Sequence, residues 1–114
     1  MYDVINVALG EISPAELLKR AQTATLPLII DVREPWEIER TLFPLPHRQI
    51  PMGQILTVLP DVDPEEEIVV ACHFGRRSAH TCFILNNQGY KKVYNLKGGI
   101  DAWSQEIDPL IPRY

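Results

Sequence analysis

The chain has 114 residues, 46% of them apolar and 23% charged, which is room for one domain around one hydrophobic core. Eleven basic side chains against fifteen acidic ones leave a net charge of −4, which argues against a protein that neutralises nucleic-acid phosphates. The longest apolar stretches are about five residues, far short of the roughly 20 that a membrane helix needs.

Two cysteines, Cys72 and Cys82, do not make a disulfide framework. The first residues show no basic start followed by an apolar run, so no secretory leader is expected and the expected compartment is the cytoplasm. Proline is unevenly spread. Six of the ten prolines fall between Pro35 and Pro64, and none between Glu65 and Asp108. The first half is therefore turn-rich, and the second is free to form regular structure.

In chain order, Ser13-Pro14-Ala15-Glu16 predicts a helix start: Ser13 caps, Pro14 suits the first turn and Glu16 completes a capping box. That helix should run to about Gln22 and bury Leu17, Leu18 and Ala21. Leu28 to Val32 is a short continuous apolar run interrupted by Asp31, the pattern of a parallel strand covered on both faces. Glu34 to Arg40 predicts a short helix with Pro35 in its first turn. Leu42 to Met52, with Pro44, Pro46 and Pro51, should be irregular, and Gln54 to Leu59 one or two helical turns. Asp63-Pro64-Glu65 is a turn. Ile68 to Ala71 is the second buried strand and leads straight into Cys72. A helix should follow from Arg77 or Ser78 to Gly89, with Ala79, Cys82, Phe83 and Leu85 towards the core. Val93 to Leu96 is a third strand. A last helix then carries Ile100, Trp103 and Ile107 on one face and stops at Pro109, leaving Leu110 to Tyr114 as a tail. Strands alternating with helices argue for an α/β fold with a mainly parallel sheet.

Ligands of open parallel sheets bind beyond the carboxyl ends of the strands. Two such ends stand out: Asp31-Val32-Arg33, and Cys72-His73-Phe74-Gly75-Arg76-Arg77-Ser78. A loop curling ahead of a helix N-terminus points several backbone N–H groups at one spot, and the helix dipole favours an anion there. Arg76 and Arg77 add formal positive charge, and Gly75 lets the backbone turn. The expectation is a cradle that lowers the pKa of Cys72, makes its thiolate the nucleophile and attracts an anionic substrate. Sulfane-sulfur donors and phosphate esters both fit that description.

The sequence resembles the single-domain rhodanese-like sulfurtransferases. The resemblance is carried by Ile30 to Glu37 (IDVREPWE), Ile50 to Gly53 (IPMG), Cys72 to Ser78 (CHFGRRS), Gly89-Tyr90, and Val93 to Trp103 (VYNLKGGIDAW), in order along nearly the whole chain. It implies a five-stranded parallel sheet flanked by helices over residues 1–114. It implies that Cys72 takes up a sulfane sulfur as a persulfide and passes it to a thiophilic acceptor, with no cofactor. The partners implied are a small sulfur-containing anion and a thiol or sulfur-carrier protein, with no nucleic acid, no membrane, and a monomer or weak homodimer. From Cys72 to Arg77 there are six residues, the span of active rhodaneses, whereas the related phosphatases carry a longer loop. The alternatives are a phosphatase or arsenate reductase using the same thiolate, and a non-catalytic docking or sulfide-sensing module.

Each residue also has a plain structural reading. Cys82 sits on a core helix face, where cysteine is commonly buried. Arg77 is best placed to close the loop, through its carbonyls or the bound anion, while Arg76 is either a second anion contact or a solvated charge. His73 reads as a pocket wall before a proton carrier. Asp31 and Arg33, by the resemblance, brace the region beside the active loop through hydrogen bonds and charge pairing. Trp36 and Trp103 are expected in the core, His80 outside it, and Glu65 to Glu67, Lys91 and Lys92 in solvent. Two cysteines and three scattered histidines show no metal-ligand spacing, so no metal is expected. His47 is separated from Ile50 by Arg48 and Gln49, whereas the family often has a histidine directly before its Ile-Pro pair.

Overall fold

The structure, a computed structural model, describes residues 10–23 and 25–114. The expectation that no leader begins the chain concerns residues 1–9, outside the described residues. Five strands, β1 (Gly10–Ile12), β2 (Leu28–Asp31), β3 (Arg48–Gln49), β4 (Glu67–Ala71) and β5 (Lys92–Leu96), form one sheet in the order β1-β5-β4-β2-β3. Every pair is parallel. The helices are α1 (Pro14–Thr23), α2 (Pro35–Arg40), α3 (Ile55–Val58), α4 (Arg76–Asn87) and α5 (Gly99–Glu106). Two single 3-10 turns, Met52–Gln54 and Leu59–Asp61, bracket α3. None of the described helices is long and apolar enough to cross a membrane.

The apolar runs form the centre of the sheet because both faces are covered. Side chains alternate across a strand, so Ile30, Ile68, Val70 and Val93 pack on one face with Ile55, Leu59, Cys82 and Leu85. Ile29, Val69, Ala71 and Leu96 pack on the other with Leu17, Ile100 and Trp103. The Ser13 capping box forms as its spacing predicts: the Glu16 amide donates to Ser13 Oγ at 3.1 Å, and the Ser13 amide to Glu16 Oε1 at 2.9 Å. Gly89, with φ +98, turns the chain after α4, where only glycine bends freely.

Two strands have no periodic signal in the sequence. β3 is two polar residues inside the proline-rich crossing, paired with Ile30 and Asp31 of β2. β1 is three residues pairing with the outer edge of β5. Trp36 is 58% exposed, contrary to the core placement expected for it, whereas Trp103 is buried. The buried residue of α2 is Glu37, whose carboxylate is paired with the half-buried Arg77, and that turns Trp36 outward. Leu18, Ala21, Ala79 and Phe83 are only half-buried. Glu67 is not simply solvated, because it pairs with Arg20 of α1.

Candidate active site

The register of the sheet builds the site. Asp31 of β2 lies beside Ala71 of β4, so the two strands end level, and the Val32 amide still donates to Ala71 O at 3.0 Å. Cys72 is the next residue, 1% exposed. Its Sγ meets the amide of Gly75 at 3.1 Å, the amide of Ser78 at 3.3 Å and the hydroxyl of Ser78 at 3.2 Å. Of the expected cradle from His73 to Ser78, these are the groups that reach the sulfur among the described residues. Gly75 caps α4 with φ +98, and a Cβ there would come within 3.3 Å of the Gly98 amide.

The loop is held from behind by α5. The amides of Ile100 and Asp101 donate to the carbonyls of Cys72 and His73 at 2.9 and 3.0 Å. A trans peptide points its N–H opposite its carbonyl, so the N–H groups of His73 and Phe74 face away from α5. Gly99, with φ +65, makes this contact possible, since a Cβ there would strike the Cys72 and His73 carbonyls. Asn95 of β5 completes the support: Nδ2 donates to Gly75 O at 3.0 Å, which leaves Oδ1 to accept from the Ser78 hydroxyl. Ser78 has a single hydroxyl proton, so while Asn95 holds it, Ser78 Oγ can only accept from the Cys72 thiol.

A second set of residues lies beside the loop. Arg33 is fully buried and forks onto Asp31, with Nη2 2.9 Å from Oδ2 and Nε 3.1 Å from each carboxylate oxygen. The charge pairing expected of Asp31 and Arg33 is present as a buried ion pair, and Arg33 also reaches the Thr41 carbonyl and the Tyr114 phenol. Arg77 departs from expectation. Its guanidinium does not close the loop through the loop carbonyls but grips Glu37 with both ends, at 2.6 and 2.7 Å. Burial alone would raise the Glu37 pKa. The bonds from Arg77, the Glu34 amide and the Tyr114 phenol outweigh it, and the carboxyl is held at about 2. Arg77 is raised further above its ordinary value by the same pairing. Arg76 is exposed and has no ion pair among the described residues, so it is the arginine of this loop left to meet a ligand or solvent.

Glu37, Asn95, Gly99 and Tyr114 do not stand out as site residues in the sequence. Glu37 gives a local sign: with Glu34 it forms a capping box, the Glu34 amide donating to its Oε2 at 2.9 Å. Its pairing with Arg77, 40 residues away, leaves no such trace.

His73 is sandwiched. Its ring lies 3.8 Å from Phe74 and 3.7 Å from Tyr114, nearly parallel to the latter, and Nε2 is buried without a partner among the described residues. Burial lowers its pKa; Glu37 and Asp101 oppose that, while Arg77 and Arg33 reinforce it. The pocket-wall reading of His73 fits this placement. Phe74 is 57% exposed. His47 lies apart, its Nδ1 2.7 Å from Leu45 O and its ring against Phe43. Cys82 is buried, and desolvation, with a smaller contribution from Cys72, pushes its thiol up to about 12.

Known proteins resemble this chain in sequence and in shape. The Rhodanese-like domain family matches residues 13–106. A "Rhodanese-like/PpiC domain-containing protein 12, chloroplastic" of Arabidopsis thaliana is 43% identical over 75% of this chain, which spans only 30% of that protein. A "Sulfurtransferase" of Allochromatium vinosum is 33% identical over 90% of this chain and 94% of its own length. The crystal structure of a rhodanese-like domain protein from Staphylococcus aureus superposes with a TM-score of 0.78 at 26% identity, covering 93% of this chain and 99% of that one. On this match, and on the five-stranded parallel sheet with its cysteine loop, the chain belongs to the rhodanese-like domain family.

Proposed function

We propose that the chain is a sulfurtransferase that carries sulfur as a persulfide on Cys72. The observation that carries this reading is the convergence of the Gly75 amide, the Ser78 amide and the Ser78 hydroxyl on one buried sulfur. The two amides stabilise negative charge on sulfur without reorganising during the reaction. The naming of relatives as sulfurtransferases supports it.

With thiosulfate as donor, the Cys72 thiolate attacks the terminal sulfur. A new S–S bond forms, the donor's S–S bond breaks, and sulfite leaves with the electron pair. An acceptor nucleophile (cyanide, a thiolate or a sulfur-carrier protein) then attacks the outer sulfur and returns Cys72 as thiolate. The store for the sulfur is the side chain itself, so no cofactor enters. Cys72 is nearly enclosed, which favours donors that present a slim terminal sulfur. Persulfide and polysulfide meet that requirement as well as thiosulfate does. Exposed Phe74 and Arg76 are the loop side chains free to meet donor or acceptor. The reading places the chain in the cytoplasm, where thiols stay reduced.

Intact-protein mass spectrometry after exposure to thiosulfate or polysulfide tests it. The expected result is one added sulfur that maps to Cys72 and is removed by cyanide as thiocyanate. Absence of added sulfur on Cys72, or sulfur transfer surviving in Cys72→Ser, would sink the proposal.

A further inference from the structure

The segment after α5 returns to the active loop through one residue. The Tyr114 phenol accepts from Arg33 Nη1 at 3.0 Å and donates to Glu37 Oε1 at 3.0 Å. This hydroxyl joins the side chains of two ion pairs, Asp31–Arg33 and Glu37–Arg77, into one chain from the end of β2 to the first turn of α4, beside a longer bond of 3.5 Å from Arg33 Nη1 to the Glu37 carbonyl. The ring has a different role. It stacks on His73 at 3.7 Å with 8° between planes, and meets the edge of Trp36 at 6.3 Å. Trp36, Tyr114, His73 and Phe74 thus form one run of aromatic contacts that ends in the loop following Cys72.

We infer that Tyr114 is a positioning residue for the sulfur-transfer loop: its ring fixes the imidazole of His73, the residue after Cys72, and its hydroxyl ties the Arg77–Glu37 pair to the buried Arg33. It touches neither the sulfur nor, in the proposed reaction, the substrate. Two points of geometry favour this over a passive contact. His73 has a neighbouring ring on each face and a buried, unpartnered Nε2, so removing one ring opens the imidazole to water. The phenol also reaches one arginine that is fully buried and one glutamate that is nearly so. The inference rests on the sulfurtransferase reading only for its kinetic consequence; the placement of His73 can be read without it.

The charged and titratable groups around His73 are Glu37 of α2, Asp101 of α5, Arg77 of α4, Arg33 after β2, and Tyr114 itself. NMR titration of the His73 imidazole in the full chain, alongside kcat and KM for thiosulfate–cyanide sulfur transfer, compares Tyr114→Ala with Tyr114→Phe. Tyr114→Ala should raise the His73 pKa, because water regains the ring. It should lower kcat about tenfold with a smaller change in KM, as expected of a misplaced loop. Tyr114→Phe keeps the stacked ring, so the His73 titration should stay at the wild-type value while kcat falls only about twofold to threefold. Should the alanine variant not fold, Tyr114→Leu, which keeps apolar volume without the ring, carries the same comparison. An unmoved His73 titration in the ring-less variant overturns the inference, as does an equal shift in Tyr114→Phe. If the wild-type chain transfers no sulfur, the functional reading fails, and the two titrations still decide the role of Tyr114.

Discussion

The two cysteines lie on the same side of the sheet, in the same packed cluster, and are equally hidden, at 1% and 0% exposure. Cys72 stands at a strand end and meets two amides and a hydroxyl. Cys82 lies inside α4, where backbone N–H groups serve the helix, and it has no such donor among the described residues. Burial without donors pushes the Cys82 thiol up to about 12. Equal burial therefore leaves the two sulfurs in different surroundings. What separates the two sites is whether the backbone has N–H groups to spare, and a strand-to-helix loop supplies them.

The widest gap between the two sites is chemical. Cys72→Ser should reduce sulfur transfer to background, a loss of about a thousandfold or more, with no sulfur taken up on Cys82. A persulfide on Cys82 in that variant would erase the distinction. Next comes the cradle itself. Ser78→Ala removes the hydroxyl that bridges Cys72 and Asn95, leaving Asn95 Oδ1 without its donor. With its proton held by Asn95 the hydroxyl accepts from the Cys72 thiol, and losing that bond while both amides remain should cost about tenfold in kcat. Steady-state kinetics decide it, and an unchanged kcat would show that the two amides suffice.

The rear support of the loop is tested by stability. Gly99→Ala forces a side chain into φ +65 and against the Cys72 and His73 carbonyls. A cost of about 3 kcal/mol in denaturant unfolding is expected, with activity lost beyond what unfolding explains. A methyl group at Gly53 would meet nothing within 4 Å, and the backbone there has no positive φ, so Gly53→Ala is the matched neutral change. Equal effects at both glycines would remove α5 from the account.

Acid weakens the charge network beside the loop in a defined direction. The folded-state pKa of Glu37 is depressed, from an ordinary 4.5 to about 2. Its stabilisation is therefore complete above the unfolded value and is lost as pH falls from there through about 2. The contribution should be on the order of 1–3 kcal/mol. Thermal melts of the wild-type chain and Glu37→Gln should differ at pH 7 and converge towards pH 2. A gap that stays constant over that range would mean that the Glu37 charge contributes nothing to the difference.

The legible parts of this molecule are those written in local patterns. The Leu28 and Ile68 runs announce a strand covered on both faces, and Ser13 to Glu16 announces a cap. Cys72 followed by glycine, two arginines and a helix announces a loop whose amides turn towards the sulfur. What stays hidden depends on contacts between distant segments. β3 is two polar residues whose strand character comes only from the edge of β2. Trp36 is apolar enough for the core, yet Glu37 takes the inward place because Arg77 waits 40 residues on. Arg77 reads as the loop's own clasp for the same reason: its partner cannot be seen from the loop. Gly98-Gly99 is visible as a helix start, but the φ of Gly99 serves carbonyls at Cys72 and His73. The tail, an appendage by its sequence, holds the phenol that joins the buried Asp31–Arg33 pair to the partly exposed Glu37–Arg77 pair.

The smallest effect belongs to Cys82, and it bears most directly on the contrast between the two thiols. With its pKa pushed up to about 12 by burial first and by Cys72 second, Cys82 stays protonated at neutral pH and packs as a small apolar group. Cys82→Ala deletes one buried sulfur atom, so a loss of about 1 kcal/mol is expected from the cavity left behind, with kcat within about twofold of the wild-type chain. In the folded protein at about pH 8, a thiol reagent should label Cys72 alone, and Cys82 only once denaturant has opened the core. The thiolate, not the thiol, reacts, so labelling of Cys82 in the folded chain would require either a lower pKa or local opening of α4. Either would mean that donors are not what separates the two cysteines, and the cradle at Cys72 would then lose its place as the reason for its chemistry.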